Sequence, residues 1–503
     1  MRLWPLLAIA VGALLLLAPV AHAARGMEVA ISDEDAMVSG KAGNALLAYQ
    51  TAQALNATRM RILVQWSGVA AGDGGAYEWG AIDNAIDAAA LYGMRTQLDL
   101  TGPAPANAAG LYKGLRIRRP NPTLYGDFVR AAAEHFKGRV DRYSIWNEPN
   151  YPAWLAPQRQ SPALYRKLYV AGYRAVKSVD PKAQVLIGET VPYGGKFKGK
   201  RLGLATPPLA WLRDLACVDA RYRRIGRCRP LKADGYAHHP YEFTTAPTAR
   251  RFPGADNAPI QTLGRLRAAL RKLARARALS AAGGRPLDIY LTESGYFVTG
   301  HRKVRASQRA RWLPEQFQVA ARQPGVKEML QYNVFVPTTT TFTTGLLTLA
   351  GAPLPEYESL LSWTQGAAKR GLIKPNTGPI VLPPRPSATP PDGTSTGPPS
   401  GAVTPSGGGG AGAPSGGTAA PPIGGGQPPP GSGGGTPSGG GGSGAPPQSG
   451  NPPTTTPPPA SCKVMIGSIC VVPQSGYSTL AMRALSSSTT ATGAGSVPRS
   501  TAR

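Results

Sequence analysis

Two glutamates lie in short motifs whose residue types could carry out acid–base or nucleophilic chemistry. Glu148 lies in YSIWNEPN, Tyr143 to Asn150, between an asparagine and a proline and directly after an apolar, aromatic run. Glu293 lies in DIYLTESGY, at the end of a second short run. Two carboxylates brought together at one site are what glycoside hydrolysis needs, because one protonates the leaving oxygen while the other attacks the anomeric carbon. Alternatively, each glutamate caps the following helix or pairs with an arginine.

The elements that must position these glutamates follow from a repeated pattern between about Gly26 and Arg370. Short β-rich runs recur, each followed by a helical stretch: GMEVAIS, TRMRILVQW, MRTQLDL, VDRYSIW, AQVLIGE, ADGYAHH, LDIYLTE and EMLQYNVFV. Helix signals lie between them, including Gly93 after one stretch and Ser161 and Pro162 as N-cap and first helical residue of another. Eight strand–helix units predict a (β/α)8 TIM barrel over residues 26–370. Chemistry in that fold gathers at the C-terminal strand ends, where units four and seven place the two glutamates.

The motifs IWNEPN and LTESGY together resemble glycoside hydrolase clan A, the retaining β-glycosidases that include families 5 and 39. The resemblance covers the whole barrel region. It implies that Glu148 is the acid/base, that Glu293 is the nucleophile, and that Asn147 binds the 2-hydroxyl of the sugar at the cleavage point. One departure is the eighth run, QYNVFVP, which lacks the tryptophan that clan members commonly carry there. Phe335 is the predicted substitute platform, with a core phenylalanine as the alternative.

Supporting residues match the clan unevenly. In HHPY, His239 and Tyr241 resemble the His-x-Tyr pair that orients substrate and hydrogen-bonds the nucleophile. His238 matches nothing and, since neighbouring strand residues face opposite sides, is expected to be structural. Arg61 resembles the second-strand arginine that steadies the nucleophile's charge, and Arg59, with the same strand parity, is the alternative. Paired histidines also suggest a metal, but no spacing such as H-E-x-x-H appears, so we expect neither metal nor cofactor.

Composition divides the rest of the chain into three further segments. Residues 1–23 read as a signal peptide, with a long apolar stretch and a small-x-small end, Ala21 to Ala23. An uncleaved anchor is the alternative, but the apolar run is short for a membrane span. Residues 371–460 are dominated by Pro, Gly, Ser and Thr and are predicted to be a disordered linker. Residues 461–503 form a short tail of unknown role. The protein is therefore expected to be secreted or associated with the cell envelope.

The four cysteines fall into two pairs. Cys217 and Cys228 lie between the fifth and sixth units, and in an exported chain they are expected to form a disulfide that closes an insertion loop. Cys462 and Cys470 lie in the tail, where a small disulfide loop and a disordered end remain equally open.

The chain is strongly basic, with 55 Lys and Arg against 27 Asp and Glu and a formal charge of +28. Runs such as RLRAALRKLARARALS are most simply the solvated face of an amphipathic helix. Attraction to anionic envelope polymers or acidic polysaccharides is a second interpretation. Nucleic acid is not an expected partner for an exported barrel with these carboxylates.

Two functions remain open after these observations. The first is a secreted, monomeric, retaining glycosidase that cleaves β-linked polysaccharides or oligosaccharides. The second is a catalytically silent carbohydrate-binding barrel displayed at the cell envelope. Because a binder has no need of the carboxylate pair, Glu148 and Glu293 favour the enzyme.

Overall fold

The computed structural model describes most of the barrel region and two short strands of the tail. The described residues are 26–40, 43–71, 76–112, 115–249, 252–300, 302–337, 342–386, 464–466 and 469–471. The predicted signal peptide, most of the predicted linker, and Cys462 lie outside these residues.

Eight parallel strands close into a barrel. They are β1 (Glu28–Ser32), β2 (Ala57–Gln65), β3 (Arg95–Thr101), β4 (Val140–Ile145), β5 (Gln184–Thr190), β6 (Gly235–His238), β7 (Ile289–Leu291) and β8 (Val326–Tyr332). Each strand pairs with its sequence neighbours, and β1 also pairs with β8 to close the circle. Every strand overlaps one of the eight β-rich runs, with ends that differ by one or two residues in four of them, so the predicted (β/α)8 barrel is confirmed.

Each strand is followed by a helix of nine residues or more. Within the described residues these are α1 (Ala45–Ala54), α2 (Gly80–Leu91), α3 (Pro122–His135), α4 (Ser161–Val179), α5 (Pro208–Ala216), α6 (Leu263–Arg275), α7 (Ala306–Arg322) and α8 (Pro355–Lys369). Short helical segments are Glu34–Met37, Trp66–Val69, Ala106–Ala108, Gln158–Gln160, Ile260–Thr262 and Ala282–Gly284. No helix among the described residues is both long and apolar enough to cross a bilayer.

Helix α4 shows how the sequence brings a helix close to the strand that carries the IWNEPN motif. Its buried face includes Tyr165, Leu168 and Val176, which recur at helical spacing. Gly172 lies on the same face, and a Cβ there would fall 2.8 Å from Ile145 Cδ1, so a larger residue would require the Ile145 side chain to shift. The helix begins at Ser161 itself rather than after it, which shifts the predicted boundary by one residue.

Helix α6 contains most of the basic run RLRAALRKLARARALS. Leu266, Leu270 and Leu273 are buried against the barrel, whereas Arg271 and Arg275 are exposed. The interpretation of this run as an amphipathic helix with a solvated basic face is therefore confirmed.

A network of buried charges lies toward the N-terminal ends of the strands. Arg59 Nε lies 3.3 Å from Glu28 Oε2, and Arg59 Nη1 lies 2.6 Å from Asp141 Oδ1. Arg142 pairs with the same Glu28 at 2.9 Å and with Glu328. Because buried charges are tolerated only when paired, this network accounts for Arg59 as a structural residue at the opposite end of the barrel from the strand C-termini.

Outside the barrel strands, the described residues also form four short strand pairs and one disulfide. The pairs are Ala109–Tyr112 with Leu115–Pro120, Gly195–Phe197 with Lys200–Gly203, Leu231–Lys232 with Leu279–Ser280, and, in the tail, Val464–Ile466 with Ile469–Val471. The predicted disulfide between Cys217 and Cys228 is present and closes the loop after α5.

The segment 371–386 contacts the barrel, although the linker was predicted to begin at Gly371. Ile373 is buried, and Lys374 Nζ lies 3.0 Å from Glu28 Oε1. Asn376 Nδ2 donates to two backbone carbonyls of the barrel at 2.6 and 2.8 Å. The segment therefore contributes to the packed domain, which extends at least to residue 386.

A shortened chain that ends at Arg370 should be less stable than one that ends at Pro386. Burial of one Ile is worth about 1.5–3 kcal/mol, and each net hydrogen bond about 1 kcal/mol, so we expect a loss of roughly 3–5 kcal/mol. Urea denaturation followed by tryptophan fluorescence compares the two chains, both of which lack the linker and tail. Equal unfolding midpoints would show that residues 371–386 add nothing to the fold.

Candidate active site

The turn after β4 positions the residues of the IWNEPN motif. Trp146 and Glu148 have φ values of 65° and 41°, in the left-handed region that non-glycine residues rarely adopt. The turn is held by the end of β3, since the Trp146 N–H donates to the Leu100 carbonyl and the Asn147 N–H donates to Thr101 Oγ1 at 3.0 Å. Such strained backbone persists where its surroundings enforce it, and it is frequent at functional sites.

Glu293 follows β7 and is held by two donors, one on each carboxylate oxygen. Arg61 Nη1 donates to Oε1 at 3.0 Å, and the Tyr241 hydroxyl donates to Oε2 at 3.1 Å. The Glu293 side chain is 10% exposed, so the carboxylate is not fully closed off from solvent. Burial, together with nearby carboxylates, raises the pKa of Tyr241 well above its usual range, which keeps its hydroxyl a hydrogen-bond donor.

Arg61 links Glu293 to the asparagine of the motif. Its Nη2 donates to Asp99 Oδ2 at 2.6 Å and to Asn147 Oδ1 at 3.1 Å. Burial disfavours the charge, but the surrounding carboxylates, including Glu189, outweigh burial and raise the pKa of Arg61. Because Asn147 Oδ1 is already an acceptor for Arg61, the amide NH2 of Asn147 is the group available to a ligand.

His239 lies between carboxylates from three strand ends. Its Nδ1 is 3.0 Å from Glu148 Oε1 and 3.6 Å from Glu293 Oε2, and its Nε2 is 2.8 Å from Glu189 Oε2. Burial favours the neutral ring, but the three carboxylates outweigh it and raise the pKa of His239 to about 10. The ring is therefore an imidazolium at neutral pH.

Glu148 and Glu293 approach each other closely. One oxygen of each carboxylate and a ring nitrogen of His239 lie within 4.8 Å of one another. A metal ion would require a neutral histidine, whereas the carboxylates around His239 favour its charged form, so the geometry suits proton transfer better.

The environment of Glu148 differs from that of Glu293. Burial raises the pKa of Glu148, and the negative charge of Glu293 raises it further, whereas His239 and Arg61 oppose the rise. The Glu148 side chain is 14% exposed. A reachable carboxyl with a raised pKa is what a general acid requires.

Two carboxylates at the site were not predicted from the sequence. Asp99 on β3 and Glu189 on β5 are both fully buried beside Arg61. The sequence did carry a signal, because each acid interrupts an otherwise apolar strand run, QLDL and VLIGE, and such residues are almost never fully buried unless paired.

The structure places Phe335 in the hydrophobic core instead of at the site. Its ring is 2% exposed and packs against Gly43, where a Cβ would fall 2.6 Å from Phe335 Cδ2. Its backbone N–H is held by Asp33 Oδ2 at 3.0 Å. The ring therefore offers no open face to a sugar, and Trp66 and Trp146 are likewise buried.

His238 is a buried structural residue. Thr190 Oγ1 lies 2.9 Å from its Nδ1, and the carbonyl of Ala258 lies 2.8 Å from its Nε2. Burial lowers the pKa of His238 to about 4, so the ring is neutral at physiological pH.

Aromatic side chains that the sequence analysis did not predict surround Tyr241. The Phe243 ring stacks on Tyr241 at 4.9 Å, and Phe342 lies 5.9 Å from Tyr241 and 5.5 Å from Phe297. Phe342 is only partly buried. It is therefore a better candidate than Phe335 for contact with the apolar face of a sugar ring.

The barrel shares its fold with a glycoside hydrolase. A family 39 glycoside hydrolase from the gut symbiont Bacteroides cellulosilyticus WH2 superposes with a TM-score of 0.51 at 17% identity, over 68% of this chain and 64% of that chain. At this identity the likeness shows the fold alone. It confirms at the level of fold the resemblance predicted from IWNEPN and LTESGY.

More distant structures include two further glycosidases. An exo-β-1,4-mannosidase from Opitutaceae bacterium strain TAV5 has a TM-score of 0.43 at 15% identity, over 69% of this chain and 61% of that chain. A glucosidase from Croceicoccus marinus has a TM-score of 0.46 at 14% identity, over 69% and 68%. Both TM-scores are below 0.5, so these are weak similarities. No protein-family model matches the chain, and no curated protein matches it.

Proposed function

We propose that this protein is a retaining glycosidase that cleaves β-linked polysaccharides or oligosaccharides. The observation that supports this proposal best is the carboxylate pair, whose nearest oxygens lie within 4.8 Å. Retaining enzymes hold their carboxyl groups about 5–5.5 Å apart, whereas inverting enzymes leave room for a water molecule at about 6.5–9.5 Å. The spacing of Glu148 and Glu293 therefore favours a covalent intermediate.

In the first step, a carboxylate oxygen of Glu293 attacks the anomeric carbon as the bond to the leaving oxygen breaks. The proton of Glu148 passes to that oxygen, and the alcohol departs. In the second step, Glu148, now a carboxylate, takes a proton from water while the water oxygen attacks the anomeric carbon and releases Glu293. The raised pKa of Glu148 suits the first step.

The neighbouring residues have supporting roles in this mechanism. Arg61 and Tyr241 each donate to one oxygen of Glu293, which fixes the direction of the carboxylate. Asn147 can donate its amide NH2 to the 2-hydroxyl of the sugar, because Arg61 occupies its oxygen. Phe342 is the aromatic face that we assign to sugar contact.

We further propose that the protein works outside the cytoplasm, as the signal peptide predicted over residues 1–23 implies. Its basic surface, including the exposed face of α6, suits attraction to an anionic envelope polymer. We expect it to act as a monomer and not to bind nucleic acid.

The direct test is a panel of aryl β-glycosides and polysaccharides, with the matching aryl α-glycosides as controls. We expect at least one β-glycoside to be hydrolysed and the α-series to be inert. Proton NMR of the early reaction should show the β-anomer of the product first, because two displacements retain configuration. The α-anomer first would contradict the retaining mechanism, and polysaccharide binding without hydrolysis would favour the silent barrel.

A further inference from the structure

Glu189 is a fully buried carboxylate that the proposed mechanism does not use. Its Oε1 accepts hydrogen bonds from Ser144 and, at 3.5 Å, from Gln97 Nε2. Its Oε2 accepts from Thr292 and from His239 Nε2 at 2.8 Å. Four donors on two oxygens match an ionised carboxylate, which can only accept.

The cationic neighbours of Glu189 support the same protonation state. Arg61 Nη2 lies 3.5 Å from Glu189 Oε2. Burial alone would raise the pKa of Glu189, but Arg61 and His239 outweigh burial and lower the pKa to about 2. Glu189 therefore carries a negative charge at neutral pH.

The ring of His239 is fixed by this charge. With Nε2 donating to Glu189, the opposite nitrogen, Nδ1, points to Glu148 at 3.0 Å. Both nitrogens can donate only if the ring is an imidazolium. The charged or titratable groups that surround the ring are Glu148, Glu189, Glu293, Arg61, Asp99, Tyr241 and His238.

We propose that Glu189 is a positioning residue that acts through His239, holding the imidazole charged and aimed so that its Nδ1–H donates to Glu148. This inference rests on the proposed function, in which Glu148 alternates between acid and base. The imidazolium stabilises the carboxylate that Glu148 becomes after it protonates the leaving group. It also orients that carboxylate toward the incoming water.

The variant Glu189→Gln tests the proposal because it keeps the shape of the side chain and removes the charge. Without that charge His239 becomes neutral near neutral pH, so the site loses one negative and one positive charge. The positive charge is the nearer one to Glu148, so the pKa of Glu148 should rise. In a plot of kcat/KM against pH, we expect the basic limb, where the rate falls as the pH rises, to shift to higher pH by about one unit.

Thr292→Val is the matched control, since it removes a neutral donor from the same Glu189 oxygen and leaves the charge in place. Its kcat can fall, but its basic limb should stay where it is in the unchanged protein. If both variants lower kcat and neither moves the limb, Glu189 is merely structural and the proposal fails.

A second measurement does not depend on activity or on the folding of a variant. The chain has five histidines, so selective 15N labelling of the imidazoles in the full-length protein can follow each ring. We expect His239 to remain charged at pH 8, while His238 is neutral. A neutral His239 at pH 7 would overturn the role of Glu189 even if glycosides are hydrolysed. If no glycoside is hydrolysed but His239 is charged, the proposed function fails separately.

Discussion

Glu293→Gln should lower the hydrolysis of every β-glycoside that the unchanged protein cleaves, by on the order of 10⁴-fold or more. The glutamine carbonyl can still accept a hydrogen bond from Arg61 or Tyr241, so the site should keep its shape. The amide cannot attack the anomeric carbon, and no covalent intermediate forms. Initial rates should therefore fall alike for an activated aryl glycoside and for an oligosaccharide.

Glu358→Gln is the matched control for this experiment, because Glu358 is exposed on α8 and undergoes the same chemical change. Its activity should equal that of the unchanged protein. Mass spectrometry with a slow fluorinated glycoside should trap the sugar on Glu293 in the unchanged protein and not in Glu293→Gln. A trapped sugar on another residue would remove Glu293 from the role of nucleophile.

The barrel could be predicted from the sequence because short β-rich runs alternate along the chain with segments that carry helix signals. Eight strand–helix units in succession leave few architectures open. Residues at or just beyond the end of a run could then be assigned to the rim. That is why Glu148 and Glu293, more than a hundred residues apart in the chain, could be predicted to lie on the same rim, where the structure brings them together.

Glu189 and Asp99 could not be assigned a role in the same way. Each looks like an isolated acid in an apolar strand, and only the folded arrangement shows that both surround Arg61. In addition, Gly188 and Glu189 have positive φ values of 122° and 49°, so the alternation of side-chain direction is interrupted at the end of β5. The side that Glu189 faces could not be read from strand parity.

A similar interruption of strand alternation explains why the side chain of Phe335 lies in the core and not at the site. Strand β8 ends at Tyr332, and Asn333 has a φ of 67°, so the regular alternation stops before Phe335 is reached. Asp33 then binds the backbone of Val334 and Phe335, which turns the ring into the core. A long-range side-chain contact of this kind has no signal in the local sequence.

The start of the linker was misplaced for a different reason. Composition is judged over a window, and the Pro- and Gly-rich stretch outweighs the few apolar residues that precede it. Ile373 and Asn376 nevertheless make the specific contacts that hold residues 371–386 on the barrel.

Glu148→Ala should separate the two steps of the proposed mechanism. For an oligosaccharide, whose leaving group must be protonated, we expect a rate loss of roughly 10²–10⁴-fold. For an aryl glycoside with a good leaving group, Glu293 can still be glycosylated, and the second step becomes slow because no base activates the water. A burst of released phenol followed by a slow steady state should therefore appear in stopped-flow absorbance.

The pH dependence of the first step should change in the same variant. In the unchanged protein Glu148 must be protonated, so kcat/KM should fall as the pH rises through its raised pKa. With the activated aryl glycoside, Glu148→Ala should lose this basic limb, because departure of the phenolate needs no proton. A basic limb that persists unchanged would assign the acid to another group.

Azide completes the test because it is a nucleophile that needs no base. In Glu148→Ala it should attack the glycosylated Glu293 and restore the steady-state rate by about 10–100-fold. The product should be the β-glycosyl azide, since the anion enters from the face that the leaving group vacated.

In Glu293→Ala, by contrast, azide would occupy the place of the nucleophile and give the α-glycosyl azide. The two azide products thus distinguish acid/base from nucleophile by stereochemistry. A reversal of the two configurations would exchange the roles of Glu148 and Glu293, and absence of rescue in both variants would leave both assignments without support.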